Sequence, residues 1–123
     1  MDLKRLLLYL LSAFFLVAGI NHFVHPDFYL PLIPTYLGFP EVINVISGLA
    51  EILLSIGLLF TTTRKVSAYL SILLLIAFIP SHVYFITIGS CVQDGLCVPT
   101  WVAWLRLIII HPVLIWWAWW VRE

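Results

Sequence analysis

Glu51 is the residue whose position most needs a chemical reason, because it lies in the middle of the apolar stretch from Val42 to Phe60. On insertion scales an Asp, Lys or Arg at the centre of a membrane-spanning helix costs about 2.5–3.5 kcal/mol, and Glu is comparable. Ionisable residues in such helices usually face a bundle interior, where they pair with one another or mark a site. We therefore expect Glu51 to face inward and to have a partner.

Arg106 is the partner that depth along the helices favours. At 1.5 Å per residue, Glu51 lies about 15 Å below the outer end of its apolar stretch. Arg106 lies about 8 Å below the outer end of the last apolar stretch. The two long side chains could close this gap, and an Arg–carboxylate pair can be bidentate. We expect Glu51 to pair with Arg106. The sequence leaves open whether the pair only locks the bundle or forms the floor of a binding pocket.

Further polar residues extend this cluster. Asn44 shares one helical face with Glu51, and small residues suited to close helix packing lie on the same face. His22 ends the first apolar stretch, and His82 follows Pro80 in the third. Such groups can relay protons or hold the polar head of a ligand. No spacing typical of metal ligands occurs, so we predict neither a metal site nor a catalytic residue. The predicted ligand-binding residues are Glu51, Arg106, His22, His82 and Asn44.

His111 is left out of the predicted cluster. It lies five residues beyond Arg106, which on a regular helix turns it about 140° away. Because Pro112 follows, a role in kinking the helix is favoured for His111 over a role in the site.

The composition is that of an integral membrane protein. Of the 123 residues, 63% are hydrophobic and 10% are charged, whereas a soluble domain carries about 25% charged residues. Runs of about 20 apolar residues are long enough to cross a bilayer. We predict an all-α membrane protein, a four-transmembrane-helix bundle in one domain spanning 1–123, with spans at about 3–22, 42–60, 66–87 and 101–121. The first run exceeds a signal-peptide core and lacks a following A-x-A site, so we interpret it as a span.

The basic residues indicate how the chain crosses the membrane. Five of them lie on one side of the predicted bundle: Lys4, Arg5, Arg64, Lys65 and Arg122. By the positive-inside rule both termini are cytoplasmic, and the expected location is a bacterial inner membrane. The formal net charge of zero gives no sign of nucleic-acid binding.

Two connections lie on the opposite side. The first, Phe23 to Pro40, is aromatic and rich in proline, so we predict an outer loop between helices 1 and 2 that either packs on the bundle or forms a lid. The second contains Cys91 and Cys97 on either side of an Asp-Gly turn. A disulfide is the default for two cysteines in an oxidising compartment, with free thiols and a redox-active pair as the alternatives.

Several segments resemble the DoxX-like family of small four-helix membrane proteins. They are GINHFVHPDFYLPLIPTYL from Gly19, ISGLAEILLSIGLLF from Ile46, IPSHVYF from Ile79 and WLRL from Trp104. The resemblance covers nearly the whole chain and implies a four-helix bundle. Members of that family include a subunit of a quinone-linked oxidising complex and factors that assist receptor assembly, so the implied functions differ.

Two functions are therefore expected. The first is an accessory subunit that binds a quinone-like or other amphiphilic small molecule, with Glu51 and Arg106 at its polar head and with another membrane or membrane-associated oxidoreductase subunit as partner. The second is a non-enzymatic assembly or interaction factor in which the polar cluster is structural. No cysteine motif or flavin fingerprint indicates electron transfer by this chain alone. The expected surroundings are the lipid bilayer, and the sequence leaves open whether the chain also forms a homo-oligomer.

Overall fold

Every apolar stretch folds as a helix, because a helix satisfies its own backbone hydrogen bonds where no water is present. The structure is a computed structural model that describes residues 1–123, and it contains no β-strand. Four stretches are long and apolar enough to cross a membrane. Two are single helices, α1 (Leu3–Val24) and α3 (Pro40–Leu59). The third consists of α4 (Arg64–Ala77) and α5 (Ile79–Thr87), and the fourth of α6 (Thr100–Leu105), a π-helical turn (Arg106–Ile110) and α7 (His111–Trp120).

The outward faces of these helices are apolar. Only 24 of the 123 residues are buried within the chain, and large hydrophobic side chains such as Leu53, Val66, Leu73 and Ile108 are more than half exposed. A soluble protein rarely exposes apolar patches of this extent. The outward faces therefore suggest a lipid bilayer environment.

Two glycines bring α1 and α3 together. A Cβ atom on Gly19 would lie 2.8 Å from the carbonyl oxygen of Gly48, and a Cβ atom on Gly48 would lie 2.8 Å from Cβ of His22. No larger residue fits at either position without movement of a backbone. Further along the same interface, the hydroxyl of Ser12 donates to the backbone carbonyl of Ser55 over 2.6 Å. The small residues that the sequence places on this face of α3 thus act in packing.

The third and fourth stretches are both broken near the middle. Helix α4 ends at Ala77, and Pro80 in the first turn of α5 has no backbone donor. In the fourth stretch the N–H of His111 bonds to the carbonyl of Arg106 five residues back, which makes a π-helical turn just before Pro112. The buried ring of His111 then hydrogen-bonds through Nε2 to the backbone carbonyl of Leu75 near the end of α4.

His111 lies at the break in the fourth stretch, as expected for a kink residue, but it is not turned away from the predicted cluster. Its ring meets the ring of His82 edge to face, with 4.6 Å between the centroids. The 140° separation from Arg106 assumed a regular α-helix, whereas a π-helical turn takes more residues for each rotation. His111 therefore faces the interior and ties the fourth stretch to the break in the third.

The two ends of the bundle differ in structure. The end that carries Lys4, Arg5, Arg64, Lys65 and Arg122, here called the basic end, is closed by a hydrogen bond from Trp117 to the carbonyl of Leu7 and by an ion pair of 3.5 Å between Lys65 and Glu123. The opposite end, the loop end, consists of the segments 25–39 and 88–99.

Most of the first loop-end segment is helical. It folds as a short helix α2 (Pro26–Tyr29) followed by two 3-10 turns, Leu30–Leu32 and Thr35–Leu37. Ile33 and Pro34 between the turns are buried. In the second loop-end segment, Cys91 and Cys97 form a disulfide.

The glycine contact yields a stability prediction. Replacing Gly19 with Leu should lower the free energy of unfolding by about 1–3 kcal/mol, because the side chain has to displace the backbone of α3. Ala13→Leu adds a similar bulk to an exposed position of the same helix and should change stability by less than about 0.5 kcal/mol. Thermal unfolding in detergent would measure both. Equal losses in the two variants would contradict a close α1–α3 contact.

Candidate functional site

Glu51 is buried in the bundle, with 5% of its surface exposed. Its nearest ionisable neighbour is His22, whose Nε2 lies 3.7 Å from Oε2 of the glutamate. That distance is too long for a hydrogen bond, and Oε2 is a buried oxygen with no hydrogen-bond partner. Glu51 is therefore an orphaned acceptor in the protein interior.

The expected pairing of Glu51 with Arg106 was wrong. None of the three ion pairs in the structure includes Arg106. The guanidinium instead lies over the ring of Phe85, with 5.6 Å from Cζ to the ring centroid. The long side chains do not close the gap between the two depths, and a cavity separates the two charged groups.

Asn44 holds His22 in one tautomer. The amide nitrogen of Asn44 donates to the backbone carbonyl of His22 over 3.0 Å, which fixes the orientation of the amide because a carbonyl only accepts. The amide oxygen then faces Nδ1 of the His22 ring at 2.7 Å, so Nδ1 must carry a proton. Nε2 is left to face Glu51.

Tyr29 covers the other side of the His22 ring. The two rings stack with their centroids 3.7 Å apart, and the Tyr29 hydroxyl accepts a hydrogen bond of 2.9 Å from the side chain of Asn21. Burial raises the pKa of the Tyr29 phenol above its ordinary value, and the charge of Glu51 adds to this rise against the effect of Asn21. Tyr29 is thus a neutral aromatic wall.

A cavity of about 390 Å³ lies between Glu51 and Arg106. This volume is within the range of small-molecule sites. Eleven of its 18 lining residues are hydrophobic. All five predicted ligand-binding residues line it: His22, Asn44, Glu51, His82 and Arg106. Sequence reasoning missed Ser47 and Ser81 as wall residues and Tyr29 as a cover, and the only signal for Ser81 was its position between Pro80 and His82.

The cavity opens where α3 and α5 separate. The break before α5 leaves these two helices with almost no direct contact, and the 3-10 turn Leu30–Leu32 bridges them. The cavity wall includes Ile46 on α3, which is 61% exposed, and Leu37, which is 47% exposed. The cavity therefore joins a buried polar end to an apolar outer surface.

A protein-bound metal does not fit this arrangement. No three His, Cys, Asp or Glu side chains lie close enough together to hold a metal ion. The groups around the cavity instead suit an organic molecule with a polar head and an apolar body.

The fixed tautomer of His22 can be tested directly. In ¹⁵N NMR spectra of histidine-labelled protein, Nδ1 of His22 should stay protonated at every pH at which the fold persists, with titration confined to Nε2. Asn44→Leu should release Nδ1 and lower stability by about 1–3 kcal/mol, because a buried carbonyl loses its donor.

Asn21→Leu is the matched control for this experiment. It removes only the hydrogen bond to Tyr29, so the His22 signals should keep the tautomer and the stability loss should be smaller. A His22 ring that titrates at Nδ1 in the unsubstituted protein would contradict the geometry.

Comparisons with known proteins place the chain in one family. The family model described as "Domain of unknown function (DUF8561)" matches residues 11–122. No curated protein and no solved structure matched the chain. Nothing in the comparisons links it to the DoxX-like family, so that resemblance stays a prediction. Because the match spans nearly all four helices, the chain belongs to the family described as domain of unknown function DUF8561.

Proposed function

We propose that this chain is a multi-pass membrane protein that binds an amphiphilic small molecule in the cavity between Glu51 and Arg106. The single observation that carries this proposal is Glu51, a residue of the cavity wall whose buried carboxyl oxygen Oε2 has no hydrogen-bond partner. A buried polar group left unsatisfied costs about 1–3 kcal/mol, and more when it is charged. A bound head group that donates to Glu51 would remove this cost, and one that accepts from Arg106 would offset the burial of the guanidinium.

The apolar part of the cavity supports a ligand with a hydrophobic body. The gap between α3 and α5 runs from the polar end to exposed hydrophobic side chains, including Ile46. In a bilayer these side chains face lipid tails. A molecule dissolved in the membrane can enter here with its head first and leave its tail in the hydrocarbon.

The segment 25–39 is the proposed roof of this site. Its residues Phe28, Tyr29, Leu32 and Ile33 line the cavity from the loop end. We propose that this aromatic, proline-rich segment lies on the outer face of the membrane and closes over a bound head group.

The resemblance to the DoxX-like family supplies the wider role in this proposal. By that resemblance the chain is an accessory subunit of a membrane-associated oxidoreductase, and a quinone is one candidate among the amphiphilic ligands. The proposal assigns the chain no catalytic residue of its own.

Binding can be tested with the purified protein in nanodiscs of neutral lipid. A panel of amphiphiles with one C10 chain, including a decyl quinone, should contain a ligand. The Ser81→Phe substitution should weaken the binding of that ligand at least about tenfold. The phenyl ring would occupy part of the cavity, so the apolar body of the ligand would bury less surface. Isothermal titration or displacement of a fluorescent probe would measure the change.

Val83→Phe is the matched control, because Val83 lies two residues away on the exposed face of α5. The Val83→Phe variant should bind the ligand with the same affinity as the unsubstituted protein. The proposal would be wrong if no member of the panel bound, or if Ser81→Phe bound the ligand unchanged.

We also propose a bacterial inner-membrane location with both termini in the cytosol, on the basis of the five basic residues at one end of the bundle. Green fluorescent protein fused after Glu123 should then fluoresce. Alkaline phosphatase fused at Asp94 in the loop end should be active, because that enzyme needs an oxidising compartment. The reverse pattern at the two sites would contradict this orientation.

A further inference from the structure

The acidic and basic side chains around the cavity are unequal in number. Glu51 is the only Asp or Glu among the lining residues, whereas Arg106, His22 and His82 are all basic. Tyr29 adds a phenol that burial keeps neutral. The charge that the cavity offers to a ligand therefore depends on how much of the Glu51 charge is already balanced.

His22 and Glu51 face each other on the cavity wall. Because Nδ1 of His22 donates to Asn44, only Nε2 is free to exchange a proton, and it faces Oε2 of Glu51 at 3.7 Å. Two unprotonated acceptors facing each other inside the protein would repel, with no donor between them. A proton on Nε2 of His22 removes the repulsion, and the pair then has no net charge.

Arg106 is left as the uncompensated charge of the cavity. It takes part in no ion pair, and its guanidinium lies over the face of Phe85, which offers a weak cation–π attraction. A guanidinium in a largely apolar site needs an anion or several acceptors to offset its desolvation. Its five donors suit the two oxygens of a carboxylate or the oxygens of a phosphate.

We infer that the ligand of this cavity is a single-chain amphiphile with an anionic head, a carboxylate or a phosphate monoester, bound by Arg106 with its chain lying between α3 and α5. This inference rests on the proposed function and names the chemistry of its ligand. An ammonium head would meet Arg106 with no free carboxylate to balance it. A neutral quinone would leave the charge of Arg106 uncompensated.

The test compares four probes that share a C10 chain: decanoate, decyl phosphate, decanol and decylamine. Titrated into protein in neutral-lipid nanodiscs, decanoate or decyl phosphate should bind at least about tenfold more tightly than decanol, because charge-assisted hydrogen bonds are the stronger ones. The tighter of the two anions identifies the head group. Decylamine should bind more weakly than decanol.

Substitutions of Arg106 supply the second arm. Arg106→Met should reduce the affinity for the anions to that for decanol, whereas Arg106→Lys should retain a weaker preference, because lysine keeps the charge but not the planar fork. Arg122→Met is the matched control, since Arg122 lies at the basic end over Trp119. The preference for anions should persist in that control.

The outcomes separate this inference from the proposed function. If decanol or a decyl quinone bound as tightly as the anions, and Arg106→Met changed nothing, the anionic head would be wrong while the cavity remained a binding site. If no probe bound at all, both proposals would fail.

Discussion

The close approach of α1 and α3 at Gly19 and Gly48 is the contact on which the rest of the site depends. In a membrane, helices associate through packing and polar contacts, and a pair of glycines lets two backbones come close enough for both. Here a Cβ atom on Gly48 would already meet His22. The same approach brings Asn44 to both the ring and the backbone carbonyl of His22, and so turns Nε2 toward Glu51. A packing feature thus determines the tautomer of a histidine.

The breaks in the other two stretches create the space that this pair faces. Pro80 ends the continuous packing of α3 against the third stretch, and the π-helical turn at Arg106 displaces the register of the fourth. His111 joins the two breaks through its bond to Leu75. Irregular helices are tolerated in a membrane where other groups satisfy the freed backbone, and they often occur at functional sites. The cavity is therefore a consequence of backbone irregularities in α4–α5 and α6–α7.

The sequence predicted the helices better than the contacts between side chains. Four long apolar helices follow from hydrophobic length alone, and an inward-facing Glu51 follows from the cost of exposing a carboxylate to lipid. The separation of Arg106 from Glu51 could not be predicted, because depth along a helix does not give the direction in which a side chain points. The stacking of Tyr29 on His22 also depends on short helices within a proline-rich segment, which hydrophobic periodicity does not describe.

We propose above that an amphiphile occupies the space between Glu51 and Arg106. An experimental structure with a bromine-labelled C10 carboxylate would test it most directly, because anomalous scattering locates the chain and the density shows the head. We expect bromine between α3 and α5, with the carboxylate within hydrogen-bonding distance of the Arg106 guanidinium. A collapsed cavity in which Glu51 and Arg106 bond to each other, with no bromine between the helices, would contradict it.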